Sequence, residues 1–299
     1  MPWEKANSCK VDPLSYGLSY AGAESDYDSA DAFLLGIPYD RTSSFKSGAA
    51  EAPAHIRRAS YNFEELHFEH GLDLPRLNIF DQGDCEHVFL PEDMMEEVKF
   101  FISPAIRDKK FTVAVGGEHS INMPIIQCFK KNDIALITID AHLDSRDEYL
   151  GTPYSHACVT RRAAEHLGID NVFALGVRSI SKEELERDDV IPYTTSFEIK
   201  EKGIERAVKK ALDSVKSEHV YLSLDIDGID PAYAPGTGTP EPFGLDPLDV
   251  KRTINLIGGR LVGFDVTEVC PPADPSGITS ALAARFINEV LAVHSKYLT

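Results

Sequence analysis

Short apolar runs separated by longer stretches of helical period recur along the chain, and no other feature constrains its fold so tightly. The runs at Ala32–Ile37, Phe111–Val115, Ile134–Ile139, Val172–Val177, Val220–Leu224 and Leu261–Val266 are nearly unbroken, and several are β-branched. A strand wetted on one face alternates apolar with polar residues, whereas an unbroken run marks a strand covered on both faces, as in a parallel sheet. Leu77–Phe80 and Val190–Tyr193 are weaker members of the series. Between the runs, the apolar period predicts helices over Glu51–Ala59, Glu92–Arg107, Ile121–Phe129, His156–Leu167, Ile204–Val215, Asp246–Leu256 and Ser276–His294. Alternating strands and helices mean an α/β fold, here a three-layer sandwich: a central, mostly parallel twisted sheet with helices on both faces. No repeat, linker-like stretch or shift in composition divides the chain, so a single domain over 1–299 is expected, opening on a polar segment over 1–30 that is acidic from Ala23 to Asp31.

Composition removes several classes of function. The formal net charge of -18 argues against nucleic acid as a partner, because binding a phosphate backbone draws on basic patches. The same charge suits a cationic small molecule. No stretch approaches the roughly 18 apolar residues of a membrane helix, and Met1-Pro2-Trp3-Glu4-Lys5 does not begin a secretory signal. Cys9, Cys85, Cys128, Cys158 and Cys270 are scattered without a CxxC pair, which fits a reducing cytoplasm better than a disulfide framework or thiolate zinc site.

In open parallel α/β sheets, ligands bind beyond the carboxyl ends of the strands, so the residues after each apolar run carry the most information. Here they are carboxylates and histidines. Val113–Val115 leads into Gly116-Gly117-Glu118-His119-Ser120, and Ile137–Ile139 into Asp140-Ala141-His142-Leu143-Asp144. Leu222–Leu224 leads into Asp225-Ile226-Asp227-Gly228-Ile229-Asp230-Pro231, and a fourth run ends in Asp265-Val266-Thr267-Glu268. If the backbone stays extended, side chains two apart share a side, so Asp140, His142 and Asp144 would converge, as would Asp225 and Asp227. Any one of these residues could be a cap or a turn residue. Together they supply ligands for two metal ions, and cations would relieve the repulsion among so many carboxylates. A set dominated by aspartate oxygens suits manganese better than zinc. Asp230, beside Pro231, reads as a turn residue.

The segments Gly117–Ser120, Asp140–Asp144 and Ser223–Pro231 together resemble the ureohydrolase family of arginases and agmatinases, and the likeness runs from about Leu34 to the C-terminal helix. The resemblance implies two Mn2+ per subunit. His119, Asp140, Asp144 and Asp225 would hold one, and His142, Asp140, Asp225 and Asp227 the other. It also implies a proton-shuttling role for His156, a guanidinium-gripping role for Glu268, and a homo-oligomer of trimer or hexamer type.

A guanidinium carbon is a poor electrophile, and metal coordination lowers the pKa of water from about 15.7 to roughly 7, giving the stronger nucleophile this reaction needs. Asp144 would orient that nucleophile, and His156 would carry the proton to the departing amine. The segment Pro235–Pro242 resembles the agmatinase form of its loop, which favours agmatine, cut to putrescine and urea. Phe243 departs from the glycine common at that point. Arg146 stands where the carboxylate of guanidinobutyrate or formiminoglutamate could find a partner, unless Asp147 or Glu148 neutralises it. Arginase, guanidinobutyrase and formimidoylglutamase activities stay open, as does a catalytically silent metal-binding scaffold.

Overall fold

The computed structural model describes residues 19–64, 66–73, 78–86 and 88–297. In chain order the strands are β1 (Ala32–Ile37), β2 (Leu66–His67), β3 (Leu72–Asp73), β4 (Ile79–Asp84), β5 (Phe111–Gly116), β6 (Ala135–Ile139), β7 (Val172–Val177), β8 (Tyr193–Thr195), β9 (Val220–Asp225) and β10 (Leu261–Thr267). Eight of them form one sheet in the order β4-β1-β5-β10-β9-β6-β7-β8, and every pairing in it is parallel. The short β2 and β3 pair antiparallel in a separate hairpin.

Adjacent strand residues face opposite ways, and each face has its own core. Leu34, Val113, Ile137, Leu222 and Phe264 pack with the helices Ala52–Ser60, Ile204–Ser214, Pro247–Ile257 and Ile278–Ser295. Phe33, Leu35, Ala114, Leu136 and Tyr221 pack on the other side with Pro91–Arg107, Asn122–Gln127 and Val159–Leu167. Burial on both faces is why the six strongest runs carry no polar alternation, and the expected three-layer sandwich is the observed architecture.

The departures have local causes. Val190–Tyr193 yields only Tyr193–Thr195, because Pro192 has no N–H to give a ladder; its carbonyl instead accepts from the Ala174 N–H at 2.9 Å. Of Leu77–Phe80, Leu77 lies outside the described residues, and the strand there runs Ile79–Asp84. Within the polar opening segment, Tyr20 is fully buried and its hydroxyl donates to the Ala284 carbonyl at 2.7 Å, tying this stretch to the C-terminal helix. Among the described residues, no helix is long and apolar enough to cross a membrane.

Candidate metal centre and cleft

Parallel strands all end on the same edge of the sheet, and the four that carry the acidic and histidine segments, β5, β10, β9 and β6, are neighbours at its middle. That adjacency brings together residues distant in sequence. After β5 the chain passes under the loop that follows β1: the Glu118 N–H donates to the Tyr39 carbonyl at 2.7 Å. A Cβ at Gly117 would lie 1.8 Å from that oxygen, so only glycine permits the approach.

Two groups of ligand atoms result, His119 with Asp140 and Asp144, and Asp140 with His142 and Asp227, each spanning no more than 4.8 Å. Asp140 belongs to both. His119 Nδ1 lies 3.1 Å from Asp140 Oδ2, 3.0 Å from Asp144 Oδ2 and 3.4 Å from Asp225 Oδ2. His142 Nδ1 is 3.1 Å from Asp227 Oδ2 and 3.6 Å from Asp140 Oδ1. The route to this arrangement differs from simple alternation. Beyond Ile139 the backbone leaves the extended form, and Asp144 adopts φ +51°, so it turns back to His119 while His142 faces Asp227. Thr160 fixes that turn, its hydroxyl donating to the Leu143 carbonyl at 2.5 Å and its N–H to the Asp144 carbonyl at 3.0 Å.

Supporting residues orient these side chains. Ser223 donates to Asp265 Oδ1 at 2.5 Å, and its oxygen lies 3.1 Å from His119 Nε2; that nitrogen then carries the proton, leaving Nδ1 free for a ligand. Asn122 Nδ2 donates to the other oxygen of Asp265 at 2.6 Å. Asp227 accepts from the Ala141 N–H and the Thr239 hydroxyl. The Arg178 guanidinium donates to the carbonyls of Asp227, Gly228 and Glu241, clamping the turn after β9 to the loop through Glu241. Sequence reasoning assigned none of these supporting roles. Ser223 and Asp265 left a trace, each a polar residue inside an otherwise apolar run; Arg178 left none.

The electrostatics fit a divalent cation. Burial, then the neighbouring Asp140, pushes Asp144 up to about 7, and burial, then Asp227, Asp140 and Glu268, pushes Asp225 well above the carboxylate range. Burial opposes charge on His119 and His142 as well. The adjoining carboxylates of Asp140 and Asp144 nevertheless hold His119 well above its usual value, and the Asp227 charge, with Asp140 beside it, raises His142 to about 12. Protons thus sit where cations would. Asp140 Oδ2, buried and poorly aligned to His119, has no hydrogen-bond partner among the described residues, as a lone pair directed at an ion would not.

Against these groups opens a cleft of about 270 Å³, lined by His142, Asp144, Asp225 and Asp227 and by His156, Glu268, Arg146, Tyr149 and Thr239. His156 opens a short helical turn, capped by Ser155, and its Nδ1 lies 3.1 Å from the Thr42 hydroxyl. Thr42 in turn donates to the buried Glu118 at 2.5 Å from its hydroxyl and 2.7 Å from its N–H. Burial, then the proximity of His119 and His142, lowers His156 to about 4, so it is neutral near pH 7. Glu268 accepts from the His119 N–H at 2.8 Å, and burial, then Glu118, raises it to about 8. Arg146 pairs with Glu183 at 3.5 Å and lies 5.2 Å from the Tyr149 ring centroid. Its neighbour Asp147 is engaged by Arg161, Arg162 and Arg187 instead. Asp230 accepts from the Ala232 and Gly244 N–H groups, closing the turn after β9.

A family model described as the arginase family matches residues 30–293, which takes in every cleft and ligand residue named above. The chain belongs to the arginase family. Within that family it is 34% identical over 289 residues to an agmatinase of Halalkalibacterium halodurans, covering 94% of this chain and 98% of the relative. A guanidinobutyrase of Pseudomonas aeruginosa is 32% identical over 287 residues, covering 92% of this chain and 90% of the relative. The solved agmatine ureohydrolase of Thermoplasma volcanium superimposes with a TM-score of 0.88 at 40% identity, covering 92% of this chain and 93% of that one.

Proposed function

We propose that this arginase-family chain is a two-manganese hydrolase that releases urea from a small guanidino compound, agmatine foremost, leaving putrescine. The observation that carries the proposal is a pair of ligand groups sharing Asp140 beside a cleft lined by His156 and Glu268. His119, Asp140, Asp144 and Asp225 would hold one ion, and His142, Asp140, Asp225 and Asp227 the other. Bound manganese would supply Lewis-acid activation of the attacking water.

The remaining work falls to the chain's own groups. Glu268 takes the guanidinium N–H groups; a cation beside it draws its raised pKa back down and restores the carboxylate. Asp144 accepts a hydrogen bond from the water and aims it at the guanidinium carbon. His156, neutral at rest, can take up the proton that water releases and pass it to the departing amine as the C–N bond breaks. Thr42, fixed by Glu118, holds the ring through Nδ1 and leaves Nε2 as its basic nitrogen.

The acidic cleft favours a substrate with a second positive charge at its far end, and the charge of Arg146 is already answered by Glu183. The likeness to a guanidinobutyrase, with Arg146 in the cleft, supports a second reading in which Arg146 leaves Glu183 for a substrate carboxylate. Urea release by manganese-loaded protein from agmatine, arginine, guanidinobutyrate and guanidinopropionate, with formamide release from formiminoglutamate, decides the matter. Preference for agmatine supports the first reading and preference for an acid the second; no product from any leaves only the silent scaffold. A cytoplasmic homo-oligomer of three or six subunits belongs to the same proposal, and light scattering of the purified protein tests the subunit count.

A further inference from the structure

A second cluster of metal-ligating side chains lies outside the cleft. The β2–β3 hairpin carries His67 and His70, and the helix Ile278–Ser295 carries Glu289; all three side chains are at least nine-tenths buried. His67 Nε2 lies 3.0 Å from Glu289 Oε1 and His70 Nε2 lies 3.9 Å from Oε2, so each imidazole meets one oxygen of the same carboxylate. The two rings stack with centroids 4.5 Å apart. None of these approaches is aligned as a hydrogen bond. Both ring nitrogens of His67, Nε2 of His70 and Oε2 of Glu289 have no hydrogen-bond partner among the described residues. Leaving four buried polar atoms unanswered in one spot is costly and calls for an occupant.

The surroundings decide which occupant fits. Arg285 lies 3.2 Å and Lys251 3.6 Å from Glu289 Oε1, which leaves Oε2 free. Each cation also has somewhere else to go: Lys251 reaches Glu69 at 2.5 Å, and Arg285 lies over the Phe63 ring. Two imidazoles and one carboxylate, with a fourth position left for water, make a ligand set suited to zinc rather than to a hard, oxygen-seeking ion.

We propose that His67, His70 and Glu289 form a zinc site that fastens the β2–β3 hairpin to the C-terminal helix. It is independent of the reading of the cleft, because none of its ligands lines that cleft. The test strips the full chain of metal with a chelator, reloads it with zinc, and compares zinc content in the wild type, His70→Ala and Glu289→Gln. The expected result is one equivalent more in the wild type than in either variant, whatever the cleft itself takes up. In the wild type, zinc is also expected to slow amide exchange over residues 66–73. Equal zinc content in all three proteins overturns the site. If neither variant folds, exchange in the wild type decides alone, and a hairpin indifferent to zinc overturns it equally.

Discussion

Glu268 and Asp144 share an unusual backbone, with φ of +60° and +51°, in a region that side-chain-bearing residues enter at a cost of about 1–2 kcal/mol. Both are cleft acids, and the surrounding strand ends hold them there. If Glu268 grips the guanidinium, Glu268→Gln keeps the shape and removes the charge. Turnover is expected to fall roughly 10²–10³-fold, while metal content stays at the wild-type level. Loss of metal in that variant would reassign Glu268 to the ligand set. Phe243 also has left-handed backbone, at φ +70°, and the residue is 71% exposed; this is the position where the family resemblance leads one to expect glycine, and the backbone explains why. Phe243→Gly is expected to raise stability by up to about 1 kcal/mol, read as a higher denaturant midpoint, because relief of strain outweighs the loss of a loose contact with Phe197, whose ring centroid lies 6.4 Å away. An unchanged midpoint would mean that this contact matters more than the strain. At this scale the sequence displayed the ligand-type residues but not how they meet. The period-two argument brings Asp144 in along an extended chain, whereas it arrives through a turn pinned by Thr160, a residue sixteen positions away with no motif of its own. Thr42 and Arg178 were equally silent, since a threonine in a loop and an arginine after a strand look like ordinary surface until the fold places them.

Strand legibility followed burial. Runs covered on both faces appear with ends close to those expected, because a polar residue there would be stranded in one core or the other. Elements too short to show a period escaped, among them β2, β3 and the helices Lys182–Leu185 and Ser196–Lys202. The first of those helices was nonetheless legible in another way, since Ser181 and Glu184 form a reciprocal capping box. The C-terminal helix, Ile278–Ser295, supports a pH prediction. Its His294 stacks on Phe111 of β5, with ring centroids 4.3 Å apart, and burial lowers its pKa despite the opposing pull of Asp31. As pH falls through about 6.5, the unfolded chain takes up a proton more readily than the folded one, so the stability this histidine supports above that pH is lost below it. His294→Phe keeps an aromatic ring against Phe111 and cannot titrate. Its stability, followed by denaturant melts, is expected to decline less steeply than the wild type's just below pH 6.5, and identical slopes would place the acid sensitivity elsewhere.

Across the whole molecule, a formal charge of -18 is concentrated further by the acids gathered at one edge of the sheet. Bound cations would therefore stabilise the fold as well as serve chemistry. Chelation of manganese-loaded protein is expected to abolish urea release and lower the thermal midpoint by several degrees, both restored by added manganese. A midpoint indifferent to the chelator would argue that the acids are held apart by protons and structure alone. The order of the sheet has another consequence. β10, the last strand in sequence, lies between β5 and β9, so β4-β1-β5 on one side and β9-β6-β7-β8 on the other meet only through it. On the ribosome, every ligand residue at the cleft emerges before the strand that joins the two half-sheets. Until residues 261–267 are released, the nascent chain holds two open sheet edges more than the finished sheet and a divided set of ligands. Assembly of the centre is thereby deferred to the end of synthesis, and a chain cut short before β10 would be a substrate for chaperones and proteases rather than a weaker enzyme.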